Sequence, residues 1–238
     1  MTEPTLVLLA GNMCDERLWH GMPPALLARA VHADMSLDDN IAGMAGRALA
    51  ATDGMLIPIG LSMGGIVALE MARQAPARVA GLVLSDTNAG ADLPERAAAR
   101  PVHQDRVRAG ELETLVADEL KPAYLAQSNR DNQPLRALIL QMAIDLGDAV
   151  FVRQSEALRT RADLRGVLDK FVGPVLLMCG AEDRLCPPEW HFAMAAQCAN
   201  AVVEVIDEAG HLLPLEQPDK FAATIVSWLD RHWGTKFG

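Results

Sequence analysis

Short apolar runs recur along this chain, and most are followed by a segment whose apolar residues fall at helical spacing. TLVLLA (5–10), GMLIPIGL (54–61), VAGLVLSDTN (79–88), PVLLMCG (174–180) and VVEVID (202–207) read as strands, with AVHADM (30–35) a weaker one. Continuous apolar runs of this length belong to strands covered on both faces. Between them, LDDNIAGMAGRALAAT (37–52) has helical periodicity behind Asp38 or Asp39 as N-cap. MGGIVALEMARQAP (63–76) repeats the pattern and stops at Pro76, and PDKFAATIVSWLDRHW (218–233) is an amphipathic helix opened by Pro and Asp. Strands alternating with helices build βαβ units, so the pattern predicts an α/β fold with a mainly parallel sheet flanked by helices.

Residues 90–170 break the rhythm. They contain no buried-strand pattern and run through helix-forming sequence punctuated by Gly and Pro. A stretch of this length is too long for an ordinary loop. It predicts a helical cap, 90–170, inserted in a core made of 1–89 and 171–238; 238 residues suit one such domain.

Composition narrows the partners. The formal charge of −10 argues against a nucleic-acid partner, whose phosphates need a basic face. Cys14, Cys179, Cys186 and Cys198 form no C-x-x-C pair and no zinc-type spacing, so they read as free thiols of a reducing compartment. The N-terminus carries an acid where a signal peptide has basic residues. No stretch approaches the roughly 18 apolar residues of a membrane span. The expectation is a cytoplasmic protein acting on a small molecule, with neither nucleic acid nor membrane as partner; the sequence carries no signal of oligomeric state.

The chemistry concentrates at GLSMGG, where the 54–61 run ends and Ser62 stands between Gly60 and Gly64. G-x-S-x-G between a strand and a helix is the pattern of a nucleophile elbow. A serine hydroxyl is a weak nucleophile until a base takes its proton and a third group orients that base. An acid and then a histidine should therefore follow, each in a loop after a late strand. GAEDRLCPP (180–188) supplies Asp183 and EAGHLLPLEQP (208–218) supplies His211. In a parallel sheet these loops emerge at one edge, where ligands bind. Glu182 and Asp86 (in LVLSDTN) are rival acids, and His191 is a rival base that falls at the start of a helical segment; His20, His32, His103 and His232 read as surface or core residues.

On GLSMGG, GAEDRLCP and EAGHLLPLEQP the chain resembles the α/β-hydrolase family over essentially its whole length, with 90–170 standing where that family carries its cap. The resemblance implies the α/β-hydrolase fold, with Ser62 as nucleophile, His211 as general base and acid, and Asp183 as the carboxylate orienting the histidine. Family members usually open with two extra strands that this chain lacks, so the sheet should have about six strands. Two backbone N–H groups must hold the oxyanion of acyl transfer. Met63, directly after the nucleophile, would supply one. Asn12 would supply the other, with Met13 the nearest alternative; Ala10-Gly11 stands where many relatives have His-Gly. Met13, Met63 and Met142 are candidates to line the acyl pocket, and Cys14 and Cys186 should lie near the site as small apolar wall residues. Arg153, Arg159, Arg161 and Arg165 read as a solvated face. No cofactor and no metal is implied.

The expected activity is serine-dependent hydrolysis of a small carboxylic ester or thioester through an acyl-enzyme. A lactonase, a carbon–carbon bond hydrolase, a perhydrolase, a lyase of the menaquinone-pathway type or a non-catalytic ligand-binding relative would carry the same constellation. Dehalogenase and epoxide-hydrolase chemistry needs a carboxylate where this chain has Ser62.

Overall fold

A computed structural model describes residues 3–234, the side chain of Pro122 aside; residues 1, 2 and 235–238, the outer ends of the expected core, lie outside them. Six strands form one sheet: β1 (Thr5–Leu9), β2 (Ala30–His32), β3 (Leu56–Leu61), β4 (Leu82–Ser85), β5 (Val175–Gly180) and β6 (Ala201–Ile206). Their order is β2-β1-β3-β4-β5-β6 and every pairing is parallel. The chain runs outward from β1 to β2, returns to β3 on the other side of β1, and then proceeds to the opposite edge. β1 and β3 therefore flank the switch point, where a crevice opens at the carboxyl ends of the strands.

Side chains alternate across the sheet as the strand period of two requires. Leu6, Leu8, Ile57, Ile59, Val83, Leu176 and Met178 pack on one face with α11 (Pro218–Trp233), while Val7, Leu9, Leu56, Leu82, Leu84, Val175 and Leu177 pack on the other with α2 (Ile41–Ala50) and α3 (Met63–Gln74). α11 buries Phe221, Ile225, Trp228 and Leu229 on one stripe and ends at Gly234, whose left-handed backbone suits a glycine. Each of those large side chains contributes about 1.5–3 kcal/mol by leaving water. α2 is capped by Asn40, whose side-chain oxygen accepts the Gly43 N–H at 2.7 Å; the sequence expectation of Asp38 or Asp39 is corrected. Asp38 instead pairs with Arg47 at 2.8 Å, drawn off by a charge one helical face away.

α1 (Pro24–Leu27) lies between β1 and β2, and α9 (Pro188–Ala195) and α10 (Leu213–Glu216) follow β5 and β6. Between β4 and β5 the chain is helical, as the sequence predicts: α4 (Pro94–Arg108), α5 (Leu112–Thr114), a π-helical turn at Leu115–Leu120, α6 (Gln133–Leu146), α7 (Asp148–Arg159) and α8 (Arg165–Leu168). This segment has a small core of its own, built from Val107, Leu115, Val116, Ala143 and Phe151. Met13, from the loop after β1, inserts into it. Among the described residues no helix is long and apolar enough to cross a membrane.

Candidate active site

Ser62 follows the last residue of β3 and precedes the first of α3, with φ 54° and ψ −114°. A positive φ is rare for a residue with a side chain and marks a backbone held in place by its surroundings. Those surroundings require glycine. A Cβ on Gly64 would run into the Leu9 carbonyl oxygen, and one on Gly60 into the Gly64 carbonyl. The turn is tied down by the Ser62 N–H, which donates to Ser85 O at 2.9 Å, and by the Thr87 hydroxyl, which donates to Ser62 O at 2.6 Å.

His211 comes to Ser62 from 149 residues away, Nε2 lying 2.8 Å from Oγ. Its Nδ1 lies 2.8 Å from Asp183 Oδ2. An ionised carboxylate only accepts, so Nδ1 carries the proton and Nε2 is left to accept from the serine hydroxyl. The other Asp183 oxygen accepts the N–H groups of Leu185 (2.7 Å) and Cys186 (3.0 Å). Burial works to raise Asp183, but the neighbouring His211 and these hydrogen bonds outweigh it and hold the carboxyl below its ordinary range. Asp86, also buried, is pushed well above that range by burial and by the Asp183 charge; Ser85 Oγ donates to it at 2.5 Å and the Gly180 N–H at 2.9 Å. The two carboxyls are thus pushed in opposite directions, Asp183 toward its charged form and Asp86 away from it.

The His211 loop is gripped by side-chain and backbone contacts. Its N–H donates to Tyr124 O at 2.7 Å, and Glu216 Oε1 accepts the N–H groups of Gly210 (2.9 Å) and Leu212 (3.3 Å) on either side. Glu216 Oε2 accepts Ala126 N–H at 2.7 Å, so one buried carboxylate couples the histidine loop to the helical segment.

Across from Ser62, a Cβ placed on Gly11 in the loop after β1 would come within 3.5 Å of Ser62 Cβ. Among the described residues the N–H groups of Asn12 and Met63 have no acceptor, whereas that of Met13 donates to Gln154 Oε1 at 2.8 Å. Of the two alternatives in that loop, Asn12 is the one with a donor to spare. A cavity of about 230 Å³ opens over Ser62 and His211 and includes Asn12, Cys14, Lys121, Tyr124 and Cys186.

Several sequence expectations are corrected here. Met13 and Met142 do not line this cavity; both are fully buried, Met13 in the core of the helical segment and Met142 against Leu135 and Ile139. Met63 likewise points into the core beneath the sheet edge. Arg161 is no solvated residue: it is buried, bonded to Asp92 at 2.7 Å and to Gly90 O at 3.0 Å, and these acceptors replace its water. Cys14 and Cys186 do border the cavity, and burial pushes both thiols up, away from the reactive thiolate. His191 stays apart from Ser62. Its Nε2 accepts the Thr87 N–H at 3.2 Å and Nδ1 lies 3.3 Å from Pro187 O, and burial pulls it down to about 4, which keeps it neutral.

Asp183, Cys186 and His211 also have the composition of a metal-ligand set. The lone pairs are spoken for, however. Asp183 and His211 are bonded to each other, and the Cys186 thiol holds its proton. Sequence reasoning missed Gln154, Lys121 and Glu216. Only Glu216 left a trace, an acid amid apolar residues in the 208–218 stretch.

Matched against known families, residues 6–224 fit the alpha/beta hydrolase family. A pimeloyl-(acyl-carrier protein) methyl ester esterase of Methylococcus capsulatus is 29% identical over 95% of this chain and 94% of its own. One of the same name from Neisseria meningitidis serogroup A is 29% identical over 69% of this chain, and that match spans 54% of the relative. Among solved structures, a thermophilic esterase from Thermogutta terrifontis, with malate bound, superposes with a TM-score of 0.86 at 29% identity, covering 97% of this chain and 91% of that one.

Proposed function

Because the chain belongs to the alpha/beta hydrolase family and its curated relatives include methyl ester esterases, we propose that it hydrolyses a small carboxylic ester or thioester through Ser62, His211 and Asp183. His211 Nε2 takes the hydroxyl proton as Ser62 Oγ attacks the acyl carbon. The oxyanion is received by the N–H groups of Asn12 and Met63, the latter at the start of α3, where the helix dipole favours negative charge. The C–O or C–S bond then breaks, the His211 proton goes to the leaving group, and an acyl-Ser62 remains. Water, deprotonated by His211, cleaves it and returns the serine. Asp183 holds the imidazole in the required tautomer and stabilises it while it is charged. No metal or cofactor enters any of these steps. The free thiols suit a reducing compartment, and we place the enzyme in the cytoplasm.

The observation that carries this reading is the hydrogen-bond relay from Ser62 to His211 to Asp183, both links at 2.8 Å, beside two N–H groups without acceptors. The test is a fluorophosphonate probe, with mass spectrometry to locate the adduct. Rapid labelling of Ser62, slowed at least about a hundredfold in His211→Ala, is expected. A folded protein that labels elsewhere, or not at all, overturns the reading.

A further inference from the structure

The chain carries a formal charge of −10, yet the cavity over Ser62 is lined by four cationic side chains, Arg96, Arg100, Arg161 and Lys121, against two carboxylates, Asp92 and Glu119. Both carboxylates are already engaged. Asp92 holds Arg100 at 2.6 Å and Arg161 at 2.7 Å, and Glu119 holds Arg106 at 2.7 Å from outside the cavity. Arg96 donates to Leu185 O at 3.1 Å and lies over the Trp190 ring, without a carboxylate among the described residues.

Lys121 is the sharper anomaly. Only 6% of it is exposed, and among the described residues no carboxylate lies within ion-pair distance. Its ammonium donates to Asn12 O at 3.0 Å, lies 3.9 Å from Cys14 Sγ and 5.2 Å from the centre of the Tyr124 ring. It stands directly after the π-helical turn Leu115–Leu120, which its own N–H closes on Val116 O at 3.1 Å. Such turns are rare and cluster at functional sites. A charge taken out of water is costly unless an opposite charge meets it. One carbonyl and one ring supply dipoles, not a countercharge. A ligand that enters this cavity would.

Resting on the serine-hydrolase reading, we propose that the substrate is a half-ester: an ester whose acyl portion carries a second, ionised carboxylate, which Lys121 receives, with Arg96 adding to the attraction. The charge belongs on the acyl portion because Lys121 is bonded to Asn12, the residue that would hold the acyl oxygen.

The test compares kcat/KM on monomethyl esters of four- to seven-carbon dicarboxylic acids with their uncharged dimethyl counterparts, for the natural enzyme, Lys121→Met and Lys121→Arg. The natural enzyme should prefer a half-ester by about tenfold or more. Lys121→Met should lower the half-ester to diester ratio by about 10- to 100-fold, mostly through KM, and Lys121→Arg should recover part of it. No preference in the natural enzyme overturns the proposal. So does Lys121→Met lowering both substrates equally, since the lysine would then only pin Asn12. A second measurement needs no turnover: glutarate should protect Ser62 from the fluorophosphonate, and Lys121→Met should lose that protection. Equal protection of both proteins, or of neither, counts against the proposal. Failure of Ser62 to label at all would instead strike the hydrolase reading beneath it.

Discussion

Ser62 and Asn12 face the same cavity, one from the end of β3 and the other from the end of β1, but their backbones are fixed by unlike means. Around Ser62 the constraint is local. Glycines at 60 and 64 let α3 start hard against β1, and a bulkier residue at either has no room. Around Asn12 the constraint is remote. Gln154 of α7 takes the Met13 N–H and the Asn12 side-chain amide, Lys121 takes the Asn12 carbonyl, and Met13, at φ 53°, plugs the core of the helical segment. The sheet edge builds the Ser62 elbow by itself, while the Asn12 half is assembled by a segment that lies 109 to 142 residues away in sequence. A site of this kind can keep Ser62 in place while its helical segment changes what reaches it.

The two halves should fail differently, and the sheet-edge half should fail hardest. Asp183→Asn exchanges an acceptor for a group that can also donate, which favours the wrong His211 tautomer. A drop of about 10³–10⁴ in kcat is expected. Asp86→Asn, at a carboxyl already biased toward its neutral form, should cost less than about tenfold and keep the acceptor for Gly180 N–H. Steady-state kinetics on one ester decide it, and the reverse ranking would transfer the orienting role to Asp86.

Next in size is a break in the packing beneath the serine. Gly64→Ala sets a methyl against the Leu9 carbonyl, two backbones that cannot both yield, and should destabilise by about 3 kcal/mol or more. For a chain of this size that is a fall in Tm on the order of 10 °C. Gly166→Ala, where nothing lies within 4 Å, is the control and should leave Tm nearly unchanged. If Gly64→Ala melts with the control, the close approach of α3 to β1 does not hold the elbow.

The same contrast explains what could be read in advance. The six strands, the helical stretch between β4 and β5 and the relay residues were legible because apolar runs, Gly60, Gly64 and the order of loops after strands are properties of neighbouring residues. Asn40 lost out to Asp38 and Asp39 because all three are good N-caps; Asp38 is drawn to Arg47 in the second turn of the helix, and Asp39 accepts from the Asn40 amide. Met13 reads equally well as pocket or core until its backbone is known to turn it upward. Gln154 and Lys121 sit in helical sequence with no local mark, and their roles exist only once the segment is folded over the loop.

Gln154→Leu tests whether that remote hold matters to chemistry. The substitution keeps the side chain's bulk but withdraws the acceptor from Met13 N–H and Asn12 Nδ2 and the donor from Met35 O. The loop then has an unpaired N–H beside the one proposed to hold the oxyanion, and Asn12 loses a restraint. Because an oxyanion contact matures only in the transition state, the loss should fall on kcat, by about 10- to 100-fold, with KM nearly unchanged. That corresponds to about 1.4–2.7 kcal/mol of the barrier. Gln154→Glu restores the acceptor for Met13 N–H but cannot donate to Met35 O, so it should recover most of kcat while remaining less stable than the natural chain. A kcat untouched by Gln154→Leu would mean that the loop after β1 keeps its shape unaided and that both halves of the site are, after all, built by the sheet edge.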